Sequence, residues 1–404
     1  MATRARKTVF IILPQGGVNE IRVLAGVQDM ARAKRFDLFV VECLKRKEGA
    51  LQFIRSPGGG TFQELLESAR PDGIIVTFNA IDPATLRQLG CGSIPTVFID
   101  RPIGAASSGR TAPVSVFGEA ESYAWLAAHE LFRTGFDDYA FLPWPENPDW
   151  SRERGECFQR QVAEAGKRFH PFPPSRHGGA ADLVTHLVPF LDSIPKPCGL
   201  FAANDGVGEA ALRVCAMRGW AVPQEVAMIG VDNLGFICEM TDPTLSSVCR
   251  DLEGDGRAAA ELLAGWMESP RRRPASRATP ALRVERRTST FFFADRRIAH
   301  AMEFIRLHAC EEGFAPPSVV REMGLGRTQA DFLFRRVAGR SILHAIHDAR
   351  LTRAQDLLRS GKSASYAADT CGFGSIVDFS RAFKRLTGKT VREWTAEVRA
   401  ESRG

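Results

Sequence analysis

Short apolar runs alternate with amphipathic stretches over the first 250 residues of the chain. In EVAMIGVDN, residues 225–233, five of the first seven residues are apolar, which predicts a strand buried on both faces that leads into Asp232 and Asn233. This alternation predicts a doubly wound α/β fold, and its length favours two lobes over one compact sheet. The predicted strands are 8–13, 36–42, 72–78, 95–100, 114–117, 139–143, 198–203 and 226–231, and the predicted helices are 20–34, 61–70, 119–134, 152–166 and 205–218.

After about residue 295 the pattern changes to helices separated by short glycine turns. Two blocks there have the same design: a helix, a turn that begins and ends with glycine, and a second helix with a polar outer face. This is a helix-turn-helix arrangement in an all-α domain. The blocks cover 316–337 and 363–386, and a long amphipathic helix lies between them at 341–360, with Leu343 expected on its inner face.

The change of pattern predicts two domains, 1–288 and 289–404. Just before this boundary, residues 269–280 are rich in Pro, Ser and Arg, which predicts an exposed crossover. One last strand is expected within residues 280–290.

Positive charge is concentrated towards the C-terminus. The chain has a net charge of +6, yet residues 294–404 hold 19 Lys and Arg against 13 Asp and Glu, and residues 270–287 hold seven against one. The remainder is mildly acidic. This distribution favours a polyanion as the partner of the C-terminal domain, although a solvated basic surface would give the same count.

Composition and motifs argue against an enzyme or a metalloprotein. The nine cysteines are at least eleven residues apart, so they form neither a zinc nor a disulfide framework. The first strand leads into PQGGVNE, which lacks the GxGxxG of a dinucleotide site, and the Gly-Lys-Ser and Gly-Lys-Thr triplets lack the earlier glycine of a P-loop. His344 and His347 share a helix without a third ligand nearby. We therefore expect no catalytic site, no metal and no cofactor.

The N-terminus predicts a core strand rather than a targeting segment. Its basic residues precede an apolar run of about seven residues, which meets Pro14 without a cleavage site. No apolar run approaches the roughly 18 residues of a membrane span. We expect a cytoplasmic protein without membrane contact.

The C-terminal residues carry a family resemblance. FRRVAG at 334–339, CGF at 371–373 and FSRAFKRLTGKT at 379–390, together with the long helix, resemble the paired helix-turn-helix domain of AraC/XylS-type transcription regulators. The resemblance covers about 100 residues. It implies that the second helix of each block binds double-stranded operator DNA.

Several side chains of those helices suit contacts with bases. Asp331 or Asp378 could accept a hydrogen bond from cytosine, and Arg381 could bind guanine. Phe332, at an outward position that is commonly polar, or Ile376 could contact a thymine methyl group. Alternatively, the basic side chains contact only phosphate. The expected DNA contacts are Thr328, Gln329, Asp331, Phe332, Arg335, Ser375, Ile376, Asp378, Ser380, Arg381 and Lys384.

The stretch NDGVGEAALRVCAMRGWAVPQEVAMIGVDN, 204–233, resembles the ligand-binding core of LacI/GalR repressors and periplasmic sugar receptors, which share the type I periplasmic-binding-protein fold. The residues support this independently, because Asn204 can cap a helix that begins at Asp205 and Gly219 can end it. The resemblance extends weakly across residues 8–287.

A ligand cleft is expected where the strands end. In doubly wound sheets ligands bind beyond the carboxyl ends of strands, where Asp232 and Asp100 stand. A sugar needs carboxylates and amides around its hydroxyl groups, with a guanidinium opposite. Alternatively, Asp232 is a loop acid and Asp205 only stabilises a helix N-terminus. The expected ligand contacts are Asp232, Asn204, Asp205, Arg154, Asp100, Gln15 and Arg22, with Trp150, Phe78 or Leu252 as an apolar wall.

Both halves together resemble the XylR-type group of the AraC/XylS family, in which a LacI-like sensor domain precedes the DNA-binding domain. The resemblance implies a sugar-responsive transcription regulator that activates an operon for the use of xylose or a related monosaccharide. It further implies a homodimer and, for an activator, contact with RNA polymerase. The alternatives are a ligand-responsive repressor and, for the first domain alone, a transport-type sugar receptor.

Overall fold

The computed structural model describes residues 6–14, 18–45, 51–55, 62–102, 112–145, 147–173, 183–291 and 296–401. The chain divides into two compact units, Met1–Thr290 and Phe291–Gly404. The sequence pattern placed this boundary between residues 288 and 289.

The first unit alternates strands with helices. Its strands are β1 (Thr8–Pro14), β2 (Asp37–Lys45), β3 (Leu51–Arg55), β4 (Gly73–Thr77), β5 (Thr96–Ile99), β6 (Val114–Gly118), β7 (Asp138–Leu142), β8 (Arg168–His170), β9 (Cys198–Ala202), β10 (Val226–Val231), β11 (Ser246–Cys249), β12 (Arg277–Thr279) and β13 (Arg283–Glu285). Its helices are α1 (Val18–Lys34), α2 (Phe62–Ala69), α3 (Pro83–Gln88), α4 (Ala120–Phe132), α5 (Asp149–Glu164), α6 (Leu183–Ser193), α7 (Asp205–Arg218), α8 (Gly235–Cys238) and α9 (Leu252–Glu268).

The strands form two sheets, and each sheet is the centre of one lobe. The first sheet has the order β12-β6-β5-β4-β1-β2-β3, and the second has the order β13-β11-β10-β9-β7-β8. Neighbouring strands are parallel except at two edges, where β3 and β13 are antiparallel. All eight strands expected from the apolar runs are present, and every residue of β10 is buried. The predicted two-lobed, doubly wound fold is confirmed.

One prediction about the segment before the domain boundary was incomplete. Residues 269–280 are largely exposed, as expected, but β12 lies within them and pairs with β6. This strand is three residues long and sits at the sheet edge, so main-chain hydrogen bonds rather than apolar side chains hold it. The sequence of this strand therefore lacks the apolar pattern from which the other strands were predicted.

The described chain passes between the lobes three times: from β6 to α4, from β11 to α9 and from β12 to β13. The first lobe thus contains the first sheet with α1, α2, α3 and α9, and the second lobe contains the second sheet with α4 to α8. The second lobe has one large apolar core, whereas the first lobe has a core on each face of its sheet.

Helix α9 is locked to α1 by two glycines. A Cβ atom at Gly256 would lie 2.2 Å from the carbonyl oxygen of Val23, and one at Gly26 would lie 1.9 Å from that of Glu253. Neither distance leaves room for a methyl group. The two backbones therefore approach so closely that each helix needs glycine at the point of contact.

The second unit is entirely helical. Its helices are α10 (Arg296–His308), α11 (Pro316–Glu322), α12 (Arg327–Ala338), α13 (Ile342–Arg359), α14 (Ala364–Thr370), α15 (Ile376–Thr387) and α16 (Val391–Glu401). Helices α11 and α12 form one helix-turn-helix pair and α14 and α15 the other, each with its own apolar core. Long helix α13 contributes to both cores. Its inner face begins with Ile342. Leu343, which was expected on that face, is exposed, because each next position on a helix lies about 100° further round the axis.

Buried Arg350 on α13 holds the connection between α10 and α11. Its Nε donates to the carbonyl oxygen of Ala309 at 2.7 Å, and its Nη2 donates to that of Phe314 at 2.8 Å. Among the described helices of either unit, none is both long and apolar enough to cross a membrane.

We expect Gly256→Ala to destabilise the first unit, because the added methyl group would collide with the carbonyl oxygen of Val23, which can move only together with the backbone of α1. The cost should be about 1–3 kcal/mol, seen as a lower midpoint in thermal or urea unfolding. Gly265→Ala on the same helix is the matched control. Nothing lies within 4 Å of its added Cβ, so helix propensity should make it neutral or stabilising by up to about 1 kcal/mol. Equal effects of both substitutions would contradict the close approach of α1 and α9.

Candidate functional site

Strained backbone marks the carboxyl ends of central strands. Five of the non-glycine residues with positive φ follow three strands: Phe78 and Asn79 after β4, Asp100 after β5, and Asp232 and Asn233 after β10. Left-handed backbone is costly for such residues and is concentrated at functional sites. The cleft between the lobes is therefore the candidate ligand site of the first unit.

Asp232 lies at this edge of the second sheet. Its N–H donates to the carbonyl oxygen of Val248 at 3.0 Å, and its own carbonyl oxygen accepts from Nη1 of Arg22 at 3.3 Å. The side chain is half-buried, and its carboxylate makes no hydrogen bond to any described residue. An acid with fixed backbone and a free carboxylate can accept hydrogen bonds from a ligand.

Asp205, expected as a ligand contact, instead supports the loop that carries Asp232. The side chain has no exposed surface. One carboxylate oxygen accepts from the N–H of Leu234 at 2.7 Å, and the other accepts from the hydroxyl of Ser247 at 2.6 Å. Burial, with a smaller contribution from the charge of Asp232, raises the pKa of Asp205 to about 7. In this conformation Asp205 positions the neighbouring loop and does not reach a ligand.

Asn204 precedes Asp205 and caps α7, as the sequence predicted. Its Oδ1 accepts from the N–H of Val207 at 3.0 Å, and Gly219 ends the helix with φ +69°. The cap occupies only the amide oxygen. The amide N–H groups of the half-buried side chain make no hydrogen bond within the described chain, so they are free to donate.

Arg154 on α5 is held between two aromatic rings. Its guanidinium lies 4.8 Å from the ring centroid of Tyr123 and 5.0 Å from that of Trp150, and its Nη1 donates to the carbonyl oxygen of Ala203 at 2.6 Å. Burial lowers the pKa of Arg154, and the nearby negative charge of Asp232 opposes that effect. A buried cation thus stands within electrostatic reach of the free carboxylate.

Asp100 joins an ion network that sequence analysis missed. Both oxygens of Asp100 accept from the guanidinium of Arg250, at 2.7 and 3.2 Å, and Nε of Arg250 donates to Asp255 at 2.7 Å. Burial alone would lower the pKa of Arg250, but the two carboxylates outweigh it and raise that pKa well above its ordinary value. Asp100 is therefore a carboxylate with a permanent partner, unlike Asp232.

Arg22 on α1 contacts the other lobe at two points. Besides the carbonyl oxygen of Asp232, its guanidinium donates to the carbonyl oxygen of Arg250 at 3.2 Å. A second connection between the lobes is the ion pair of Arg101 and Glu153, at 2.5 Å. Gln15, the remaining expected ligand contact, lies outside the described residues.

The apolar residues expected around the cleft separate into two groups. Trp150 packs against Arg154, and the ring of Phe78 lies under Arg250 at 5.7 Å, so both remain at the cleft. Leu252 was a wrong choice: it is fully buried in a core of the first lobe, because it opens α9 on the side that faces the sheet.

Buried polar atoms without a partner add to the site. Tyr123 is completely buried beside Arg154, and its hydroxyl makes no hydrogen bond to any described atom. One carboxylate oxygen of Asp255 is likewise buried and has no partner among the described atoms. Oδ1 of Asn19 and Oε2 of Glu20 are also buried and make no hydrogen bond to a described atom; they lie in the first turn of α1, beyond the end of β1. Buried polar groups are normally satisfied, so these atoms are candidates to bind water or a polar ligand.

The second unit presents its expected DNA contacts on the surface. On α12, Thr328, Gln329, Phe332 and Arg335 are exposed and Asp331 is half-buried. On α15, the exposed residues are Ile376, Asp378, Ser380, Arg381 and Lys384, and Ser375 is half-buried. Each helix keeps its apolar side inward, through Ala330 and Phe334 on α12 and through Phe379, Ala382 and Phe383 on α15.

Ser375 and Asp378 are bonded to each other. The hydroxyl of Ser375 caps α15 by accepting from the N–H of Asp378 at 3.0 Å, and it donates to the carboxylate of Asp378 at 2.8 Å. These two expected base contacts therefore also stabilise the start of the helix.

Comparison with known proteins identifies both units. Residues 128–290 match the family model of a periplasmic binding protein-like domain, and residues 319–397 match that of a helix-turn-helix domain. The xylose operon regulatory protein of Escherichia coli (strain K12) is 27% identical over 335 residues, which cover 80% of this chain and 83% of the relative. The protein of the same name from Haemophilus influenzae is 26% identical over 337 residues, covering 80% and 84%.

Solved structures have the same fold. The structure of the xylose-binding transcription activator XylR covers 97% of this chain and 98% of its own, with a TM-score of 0.57 and 24% identity. The complex of the transcriptional regulator CelR with cellobiose covers 70% and 85%, with a TM-score of 0.53 and 20% identity.

The fold and the two matched domains define a transcription regulator in which a periplasmic-binding-protein-like domain is joined to a helix-turn-helix DNA-binding domain. The chain has the domain layout of the XylR-type regulators and is similar to them along both units, which confirms the resemblance seen in the sequence. Both relatives are named as regulatory proteins.

The raised pKa of Asp205 generates a prediction about stability. The folded chain binds this proton up to about pH 7, whereas an unfolded aspartate releases it near pH 4. Stability should therefore fall as pH rises through that window and level off above it. Asp205→Asn cannot ionise; its amide oxygen can still accept from the N–H of Leu234, and its amide nitrogen can donate to the hydroxyl oxygen of Ser247. Between pH 5 and 8 the wild type should therefore lose about 3 kcal/mol relative to the variant.

Thermal and urea unfolding at pH 5 and 8 measure this difference. Asp29→Asn, which replaces a half-exposed carboxylate on α1, is the control and should follow the wild type at both pH values. An Asp205→Asn protein that also parallels the wild type would contradict the raised pKa.

Proposed function

We propose that the protein activates transcription of an operon for the use of xylose or a related monosaccharide when that sugar binds in the cleft of its first unit. The free carboxylate of Asp232, with Arg154 in electrostatic reach, is the observation that carries the sugar part. Carboxylates and guanidinium groups match the donors and acceptors of neighbouring sugar hydroxyls. The relatives that cover both units are named for the xylose operon, which supports the choice of sugar.

In this proposal Asp232, Asn204 and Arg154 contact the sugar directly, and Arg22 senses closure of the cleft through its hydrogen bonds to the other lobe. Asp100 acts through Arg250. Asp205 holds the loop of Asp232 in place. Trp150 and Phe78 supply the apolar faces against which a sugar ring packs.

The second unit binds operator DNA through α12 and α15. Helix α13, which separates the two pairs, has 18 residues and is therefore about 27 Å long, close to the roughly 34 Å of one duplex turn. The two recognition helices then reach successive major grooves on one face of the duplex. We further propose a homodimer, contact of the activator with RNA polymerase, and action in the cytoplasm, where the operator is.

Repression is the alternative. The ribose operon repressor of Halalkalibacterium halodurans is 25% identical, but the match covers 51% of this chain and 59% of the relative. Activation is favoured because the relatives that match over both units include one described as an activator.

The sugar is identified by thermal shift of the whole protein with pentoses, hexoses and their phosphates. A ligand that binds only the folded state raises its melting temperature. A large rise with one neutral monosaccharide supports the proposal. No rise with any of them would contradict a sugar effector.

Asp232→Asn should weaken binding of that sugar by roughly one to two orders of magnitude. The substitution keeps the side-chain shape but removes charge-assisted hydrogen bonds worth about 1.5–3 kcal/mol each. Calorimetry measures the affinity, and Asp29→Asn serves as the control with wild-type binding. If folded Asp232→Asn protein bound the sugar with wild-type affinity, Asp232 would be an acidic loop residue without a role in sugar binding.

Operator binding should depend steeply on salt and on Arg381. The full chain should first select a duplex from a random pool, and its affinity for that duplex should fall sharply between 50 and 200 mM salt. Arg381→Ala should cost about 1–3 kcal/mol on the selected duplex and much less on random DNA. Arg213→Ala, an exposed arginine of the first unit, is the control. Equal losses on both duplexes would assign Arg381 to phosphate.

A further inference from the structure

A groove in the second unit has an apolar floor and a cationic rim. It has a volume of about 1020 Å³ and runs along α15 between the start of α14 and the start of α16. Ile376 and Val377 line it, and so do Ser380, Arg381 and Lys384. Positions four residues apart on a helix share one face, so this is the outer face of α15.

The apolar residues of the groove are exposed. Ile376 is 42% and Val377 52% exposed, although both belong to a helix whose core face is already filled by Phe379 and Phe383. Neither side chain is needed for the fold of the helix. Exposed apolar side chains side by side, with Arg381 one turn and Lys384 two turns further on, mark a surface that becomes covered by something both apolar and anionic.

Asp378 does not belong to this face. It is absent from the lining of the groove, and its carboxylate accepts the hydroxyl of Ser375 at 2.8 Å. The acid that could select cytosine at this end of the helix is therefore engaged in the helix cap. What remains to meet a base edge there is the pair Ile376 and Val377.

The first recognition helix has the same property. Phe332 on α12 is 64% exposed, and Arg335 and Arg336 follow it on the exposed side of the helix. Each recognition helix thus carries a large apolar side chain next to cations. In the major groove the one apolar group that a base presents is the thymine methyl group.

We propose that both recognition helices identify thymine by apolar contact, through Phe332 on α12 and through Ile376 and Val377 on α15, while Arg335, Arg336 and Lys384 bind phosphate. The proposal rests on the DNA-binding function proposed above. Charge complementarity selects DNA over a second protein as the occupant, because an apolar protein surface would leave Arg381 and Lys384 buried without anions.

Replacing thymine by deoxyuridine tests this directly, because it removes the methyl group and leaves every hydrogen bond of the base pair intact. The full chain selects a duplex from a random pool, and each thymine of that duplex is then replaced singly. Affinity should fall about fourfold at the thymines that meet Ile376 and Val377, and at the one that meets Phe332, the loss expected for one buried methyl group.

Alanine variants assign each thymine to its side chain. The double variant Ile376→Ala, Val377→Ala should become insensitive to deoxyuridine at the α15 thymine and keep its sensitivity at the α12 thymine, and Phe332→Ala should do the opposite. Leu307→Ala, an exposed leucine on α10 outside both helix-turn-helix pairs, is the matched control and should keep both effects. Retained binding to random duplex and an unchanged melting temperature show that each variant is folded.

Three outcomes would overturn the proposal. Silent replacement at every thymine of a tightly bound duplex refutes methyl contact while leaving the DNA-binding function intact. Sensitivity that survives in the alanine variants assigns the contact to other residues. A selected cytosine that is lost in Asp378→Asn restores Asp378 as the base contact. Failure to select any duplex, by contrast, would refute the proposed function itself.

Discussion

The burial of Arg250 is the constraint around which the first unit is organised. Its side chain is 5% exposed, and an isolated charge at that depth would be very costly. Asp100 and Asp255 neutralise it, and removal of one partner of such a group costs about 3–5 kcal/mol. Because Arg250 stands where the chain leaves β11 for α9, its partners bring the strand ends of both lobes to one place.

The shape of the cleft follows from this arrangement. Backbone carbonyls at those strand ends are held by Arg22, and the loop of Asp232 is held from below by Asp205. Most polar groups at the edge are thus satisfied within the protein. Asp232 keeps its carboxylate free because its neighbours, rather than its own side chain, fix its position. A free acid on a fixed backbone is better ordered for binding than an acid whose own backbone is mobile.

Local sequence patterns predicted the features that a single stretch of the chain determines. They missed the contacts between stretches that lie far apart in the sequence. A continuous apolar run such as 226–231 predicts a strand buried on both faces without reference to any other segment. The strands and the fold class could therefore be predicted from such runs. The cap of α7 at Asn204 was equally local. The pairing of Arg250 with Asp100 joins residues 150 positions apart, and no spacing rule indicates it. Asp205 was placed correctly at a helix start, but only its burial and its hydrogen bond with the N–H of Leu234 reveal a supporting role.

The same limit applies to the second unit. Spacing of glycines and aromatic residues placed both helix-turn-helix pairs, because these turns require specific residues. It could not separate Asp378, which the cap engages, from Val377, which lines the groove. Residue type suggested the acid as the base contact. Side-chain geometry favours its apolar neighbour.

The glycine contact between α1 and α9 has a consequence for biosynthesis. The first lobe contains β1, yet it lacks α9 and β12 until residues 252–279 have been made. Until then the face of α1 around Gly26 has no partner, and the core that α9 fills is open. The second lobe, with most of its strands between residues 138 and 249, can close earlier. The core of the lobe that contains β1 therefore stays open until α9 is made, and a nascent chain stalled before residue 252 would expose an unfinished apolar surface to chaperones and proteases.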